Sequence, residues 1–343
     1  MKKVILSSLG HIKIIDAEEP SITAGDHVKL MINWVGICGS DLHYFRTGRI
    51  GNQVVKYPFS IGHEATATVV GTGKEVRNLV LGDRVAIEPA ISCGKCDQCL
   101  AGREHTCRNL TFLGNPSEAE GCMQEFIVVP EKVCFKLPDA ISTDYGVLLE
   151  PLTIALHSMS FTPFIGDTAI LGAGPIGLCV MEAIRLKKHG KIFVTDLIDH
   201  RLNVSKLHGA NWIGNPGKTD IVKSILAEVP LGLDTVFECC GKQEAINHAL
   251  HLLKPGGSLV IVGIPEVDHI EFDIHLLRRK EINIYNVRRQ NKQFNNAIHL
   301  VETKQLDIFH LITHRFDYSD TQQAMDLVDK YQDEIIKALI SFN

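Results

Sequence analysis

The stretch TAILGAGPIGLCVMEAIRLKKHGKIFVTD, residues 168–196, decides how this chain folds. An apolar run ends at Gly172, and Gly172, Gly174 and Gly177 then form G-x-G-x-x-G at the mouth of a helical segment. In that setting the first glycine permits a tight turn, the second lets a pyrophosphate approach the backbone, and the third lets helix and strand pack closely. Free N–H groups of the first helical turn then face the phosphates. The following strand, KIFVTD, ends on Asp196, 19 residues past Gly177. A carboxylate there accepts the ribose hydroxyls of NAD and repels the 2′-phosphate of NADP, so NAD is the expected cofactor. Arg201 either flanks the adenosine ribose or is a solvated helix residue.

Strand and helix alternate onward from about Asp167. PIGLCVMEAIRLKKHG (175–190), DHRLNVSKLHGA (199–210) and KQEAINHALHLLKPGG (242–257) have helical spacing, while DTVFECC (234–240) and SLVIVGI (258–264) read as strands. Such alternation means βαβ units, hence an α/β domain with a doubly wound parallel sheet. Cys239 and Cys240 read as small buried side chains closing a strand. Up to about Leu152 the texture differs. HVKLMINWVGI, ATATVVGTG and GDRVAIEP are short, β-branched and alternating, with glycine and proline between them, which suggests an irregular, mostly β domain. After about Gln290 a helical stretch and a closing strand, EIIKALISF, depart from the βαβ pattern.

Composition narrows the function classes. A chain of 343 residues that is 45% hydrophobic can bury two domain cores. A net charge of −5 offers no basic footprint for nucleic acid, and no apolar run reaches membrane-spanning length. The apolar triplet after MKK is too short for a signal peptide. A cytoplasmic location is expected, and clustered cysteines in a reducing compartment more often bind metal than form disulfides.

Two sets of residues are candidates for metal. CGKCDQCLAGREHTC, residues 93–107, sets Cys93, Cys96, Cys99 and Cys107 at C-x2-C-x2-C-x7-C spacing. Four thiolates close a tetrahedron around Zn²⁺ and leave no position for water or substrate, so this site is structural. An iron–sulfur cluster also uses four thiolates. Reactive chemistry needs an open metal. Cys38 in GICGSDLHYF with His63 and Glu64 in IGHEA supplies thiolate, imidazole and carboxylate, each a permitted zinc ligand. Taken by themselves, a lone cysteine after an apolar strand is more often a small core residue, a Gly-His-Glu triplet is often only a turn, and Glu150 in LLEPL reads as a helix or loop surface acid.

Together these stretches carry a resemblance. GICGSDLHYFRTGRIG, IGHEA, GDRVAIEP, the four-cysteine lobe, EPLTIALH, GAGPIG, VTD followed by Arg201, and THRF occur in the order found in the zinc-dependent medium-chain dehydrogenases. They are most similar to the polyol group of sorbitol and xylitol dehydrogenases. The resemblance implies a GroES-like catalytic domain, residues 1–153 and 291–343, with a zinc lobe at about 88–112, and a Rossmann domain at 154–290. It implies catalytic zinc on Cys38, His63 and Glu64, and Glu150 either as a ligand or hydrogen-bonded to the metal's water. Ser40 and His43 match a proton relay, and Tyr44 matches a substrate-pocket tyrosine. Ile176, Val262, Ile264, Val287 and Arg288 join the glycines, Asp196 and Arg201 as cofactor contacts. The implied reaction is oxidation of a polyol's secondary alcohol with hydride transfer to NAD, in a homodimer or homotetramer.

One departure opens a second substrate class. In NVRRQN, residues 286–291, Arg288 fits the arginine that contacts polyol hydroxyls in the family, but Arg289 replaces an aromatic residue. Two guanidiniums can grip a carboxylate, so an aldonate such as idonate or galactonate, or a uronate, is the alternative to a neutral polyol, unless Arg289 simply points to solvent. A non-catalytic, zinc-stabilised NAD-binding module would need none of Cys38, Ser40, His43, His63, Glu64 or Glu150.

Overall fold

Residues 1–162, 166–187 and 190–343 are described by the computed structural model. The chain divides into two units. One comprises Met1–Glu150, Phe294–Lys304 and Phe309–Asn343, the other Pro151–Gln293 and Gln305–Ile308. The division falls inside the helix Leu149–Ser158, three residues before the boundary expected from sequence, so Glu150 belongs to the first unit and residues 151–153 to the second. The second unit also claims Gln305–Ile308, a return that the sequence pattern does not show.

The first unit is built on a mostly antiparallel sheet. Its strand order is Cys134–Lys136, Arg84–Ile87, Glu64–Thr72, His27–Gly36, Lys337–Ser341 and Ile312–Asp317, with Phe126–Pro130 also pairing to His27–Gly36. Alternate side chains of the central strands enter one core, where Leu30, Ile32, Val35, Ala67, Val69, Val85, Ala338 and Ile340 are buried. The closing strand therefore returns to the middle of the N-terminal sheet.

Register decides what gathers at one end of this sheet. Gly36 pairs with Glu64 on one side and with Leu339 on the other. The chain just past Gly36, the segment just before Glu64 and the start of the closing strand are thus brought together. Gly36 has to be glycine: a Cβ there would lie 2.3 Å from Glu64 Oε2, in the path that Glu64 takes across the strand.

In the second unit six parallel strands run in the order Trp212–Gly214, Ile192–Thr195, Thr168–Leu171, Leu233–Glu238, Leu253–Ile261 and Asn283–Asn286. This is the doubly wound order, with its reversal between the strands that begin at Thr168 and Leu233. Phe193, Val236, Ile246, Leu250 and Leu259 lie in its core. The helix expected over 175–190 ends at Arg185, and Lys188 and His189 of that segment lie outside the described residues. The strand expected over 234–240 stops at Glu238, because the Glu238 carboxylate turns the chain by accepting N–H bonds from Cys240 at 2.8 Å and Gly241 at 2.6 Å. Cys240 is consequently exposed and Cys239 half-buried, where both were expected to be buried. The last expected strand, 258–264, likewise ends early at Ile261, where Val262 and Gly263 both donate to the Glu238 carbonyl. Among the described residues no helix is long and apolar enough to cross a membrane.

Candidate metal and cofactor sites

Cys38 is the N-cap of the helix Gly39–Thr47. The third helical residue, Asp41, reaches back to accept the Cys38 N–H at 2.9 Å with one oxygen, and with the other accepts the Gly62 N–H at 3.0 Å. One fully buried carboxyl thereby ties the loop carrying Cys38 to the loop carrying His63, whose Nδ1 lies 3.8 Å from Asp41 Oδ1. Burial raises the Asp41 pKa, with His63 working against the rise.

The ligand atoms of Cys38, His63 and Glu64 lie within 4.8 Å of one another. That spread lets a thiolate, an imidazole and a carboxylate converge on one Zn²⁺ at about 2.0–2.3 Å each. Without a cation the group is poorly compensated: burial, then the neighbouring Glu64 carboxylate, pushes the Cys38 thiol far above its ordinary range. Glu150 stands outside the three-residue group but is buried beside it. Burial pushes its carboxyl up to about 8, against the pull of His63 and with the like charge of Glu64 adding to the rise. A divalent cation is what this donor set calls for, because it lowers the pKa of each coordinating group.

Sequence reading passes over two residues of this site, Asp41 and Lys337. Lys337, in the apolar closing strand, is 1% exposed and donates to Glu64 Oε2 at 2.6 Å, to Glu64 Oε1 at 2.8 Å and to the Ile37 carbonyl at 3.1 Å. All three ammonium donors are spent. The signal for Lys337 was a charge inside an apolar strand, and the signal for Asp41 was its place three residues after the N-cap.

The four lobe cysteines also converge within 4.8 Å, with Cys96 Sγ 3.5 Å from Cys99 Sγ and 3.8 Å from Cys107 Sγ. A tetrahedron of Zn–S bonds near 2.3 Å has edges of about 3.8 Å. The spacing suits one ion rather than thiolates spread over several irons. Backbone N–H groups of Cys93 and Asn109 point at Cys107 Sγ from 3.3 and 3.4 Å. The amides of Lys95 and Cys96 bring the Cys93 thiol down to about 6, toward the thiolate a metal needs. Cys99→Ser is expected to lower the zinc content from two ions per chain to one and to reduce thermal stability before it affects hydride transfer. Metal analysis beside a melting curve and single-turnover kinetics checks this; a stable variant with both zincs and failed hydride transfer would overturn it.

In the second unit the glycine loop meets its steric requirements. Gly172 has φ +104°, and a Cβ on it would lie 2.9 Å from Cys240 Cβ. A Cβ on Gly177 would lie 1.9 Å from the Gly172 carbonyl. Beside Gly174 the nearest atom to such a Cβ is Arg201 Nη1 at 3.6 Å, which leaves the backbone open to a pyrophosphate. Arg201 is 8% exposed, so it is not a solvated helix residue. Asp196 accepts the Ala173 N–H at 2.7 Å and the Ile198 N–H at 2.8 Å. It braces the loop and keeps further lone pairs for a ribose diol. Gly172, Asp196 and Val262 all follow carboxyl ends of parallel strands, the edge where such sheets bind ligands. Val287 donates to the Ile261 carbonyl at 2.9 Å, and Ile264 is exposed.

Ser40 and His43 lie three residues apart on the helix after Cys38, both half-buried. That spacing puts them on one face. Tyr44 is buried, and its hydroxyl donates to Asn115 Oδ1 at 2.9 Å. Arg288 and Arg289 follow the last parallel strand in the second unit, the first exposed and the second half-buried with φ +55°.

Residues 24–139 match the alcohol dehydrogenase GroES-like domain, and residues 175–303 match the zinc-binding dehydrogenase domain. The chain is 34% identical to sorbitol dehydrogenase of Bacillus subtilis (strain 168), over 99% of this chain and 97% of that protein. It is 35% identical to L-idonate 5-dehydrogenase of Vitis vinifera, over 90% of this chain and 86% of that one. Among solved structures, an alcohol dehydrogenase of E. coli CFT073 complexed with NADH superposes with a TM-score of 0.91 at 30% identity, covering 100% of this chain and 99% of that chain. Likeness of this length, with both domains in the same order, makes the chain a member of the zinc-dependent medium-chain dehydrogenases, polyol dehydrogenase group, and an NAD-dependent alcohol dehydrogenase.

Proposed function

We propose that the protein oxidises a secondary hydroxyl of a neutral polyol, of the sorbitol or xylitol type, to the ketose and transfers the hydride to NAD. The observation that carries this reading is the charge around the metal donors. Two further buried carboxyls, Asp41 and Glu150, lie beside them, and the ammonium buried with them, Lys337, has its three donors already engaged. Lys337 therefore has no donor to spare for a substrate carboxylate, whereas a polyol brings hydroxyls that can donate to the acidic groups.

Zinc, when bound, supplies the Lewis acidity that makes an alcohol proton labile, and the nicotinamide supplies the hydride acceptor. The chain's part is positioning and proton traffic. Cys38, His63 and Glu64 would hold the catalytic metal, with Glu150 beside it, and Asp41 keeps the two ligand loops together. Ser40 takes the alcohol proton and His43 passes it toward solvent, along the helix face they share. Tyr44 touches the substrate. Gly172, Gly174, Gly177, Asp196 and Arg201 would hold the dinucleotide. Expectations of a homo-oligomer and a cytoplasmic location belong to the same reading and are supported by the family resemblance.

Arg289 favours the second reading, an aldonate, and the similarity to the grape idonate dehydrogenase supports it. A substrate panel decides between them. NADH formation from sorbitol, xylitol and ribitol is expected to exceed that from idonate and galactonate by about tenfold or more in kcat/KM, the equivalent of about 1.4 kcal/mol in transition-state binding. A preference for the acids would reject the polyol reading.

A further inference from the structure

We propose that Asn115 and Glu118 fix the direction of the Tyr44 hydroxyl bond, so that this phenol meets the substrate as an acceptor and selects a hydroxyl over a carboxylate. The inference rests on the reading of Tyr44 as a substrate contact. Asn115 is 2% exposed, and its Nδ2 donates to Glu118 Oε1 at 2.5 Å. The other Glu118 oxygen accepts the Phe112 N–H at 2.8 Å, and Gln53 Nε2 donates to Oε1 at 3.3 Å. A carboxylate only accepts, so Asn115 must turn its NH₂ toward Glu118 and its carbonyl toward Tyr44. The Tyr44 proton is thereby committed to Asn115 Oδ1 at 2.9 Å. A phenol has one proton, so any other partner of that oxygen must be a donor. A polyol hydroxyl qualifies; a substrate carboxylate does not.

The strut is anchored at the metal-binding segment. Phe112, whose amide Glu118 holds, packs its ring on His63 with centroids 5.3 Å apart. The loop presses on the peptide before His63 so closely that a Cβ on Gly114 would lie 2.9 Å from the Gly62 carbonyl. Asn115 and Glu118 are positioning residues, acting through Tyr44.

The polarity of the strut can be reversed by one substitution. In Glu118→Gln the side-chain carbonyl is needed by the Phe112 N–H, so the new NH₂ faces Asn115. The Asn115 amide then flips, donates to Tyr44, and frees the phenolic proton for the substrate. Adding Asn115→Asp places an acceptor-only side chain between that new amide and Tyr44, and with it restores the original polarity. The experiment measures kcat/KM of the zinc-loaded enzyme with NAD for sorbitol and for L-idonate in wild type, E118Q and N115D/E118Q. The sorbitol-to-idonate ratio is expected to fall about three- to tenfold in E118Q, the scale of one hydrogen bond, and to recover in the double variant. In a Tyr44→Phe background E118Q is expected to leave the ratio unchanged, since the cycle isolates coupling through that hydroxyl. Equal losses for both substrates, or a ratio that N115D does not restore, would overturn the inference. The wild-type preference is read separately: a ratio below one would reject the polyol reading, while the direction of the E118Q shift still judges the strut.

Discussion

Cys38→Ser is expected to remove turnover while leaving NAD binding intact. Cys38 provides the only sulfur among the three donors that converge at the N-terminus of the helix Gly39–Thr47. Serine cannot replace it, because an alcohol hydroxyl is a far weaker zinc ligand than a thiolate. The Lewis acidity at stake amounts to several kcal/mol of transition-state stabilisation. Its loss corresponds to a fall in kcat of about a thousandfold or more. The residues proposed to hold the dinucleotide all belong to the second unit, so NADH fluorescence titration should return a Kd close to that of wild type. Zinc content should drop by one ion per chain. Wild-type turnover in this variant would remove Cys38 from the chemistry.

The second large effect concerns stability. Lys337→Met keeps the length and apolar stem of the side chain but withdraws three hydrogen-bond donors from a site where both partners are 1% exposed. The Glu64 carboxylate is then buried beside Cys38 without its countercharge. Breaking a buried pair in this way costs about 3–5 kcal/mol, most of it the penalty on the charge left behind. The urea midpoint of the zinc-stripped protein should fall accordingly. Glu64→Gln combined with Lys337→Met should recover most of the loss, because the remaining amide is far less costly to bury than an isolated charge. An unchanged midpoint in the single variant would show that the pair contributes nothing to the fold.

Features that depend on near neighbours in the chain were legible from the start. Gly172, Gly174 and Gly177 announce a strand-to-helix turn because the conformational demands of that turn fall on consecutive residues. The lobe cysteines announce a metal because a four-thiolate cage closes within 15 residues. Cys38, His63 and Glu64 are permitted zinc ligands by type, but only the family resemblance grouped them, and it took the fold to bring their ligand atoms within 4.8 Å of one another with Glu150 buried beside them. The places where strand reading overshot, at Cys239 and after Ile261, are both set by one residue, Glu238, whose carboxylate and carbonyl gather amides from two loops.

What the amino-acid order determined by itself was the βαβ half, the dinucleotide fingerprint with its preference for NAD, and the four-cysteine metal cluster. These follow from hydrophobic period and from ligand types at short spacing. Only the tertiary structure decided how the reactive cluster is held and neutralised. Lys337 is 273 residues from Glu64, and the two meet because the closing strand inserts beside His27–Gly36 in a register that sets Leu339 against Gly36. Tyr44 and Asn115, 71 residues apart, meet because the loop after the zinc lobe folds back on Gly62. Neither pairing leaves a periodicity in the sequence, since a hydrogen bond between distant strands is specified by register and burial rather than by spacing.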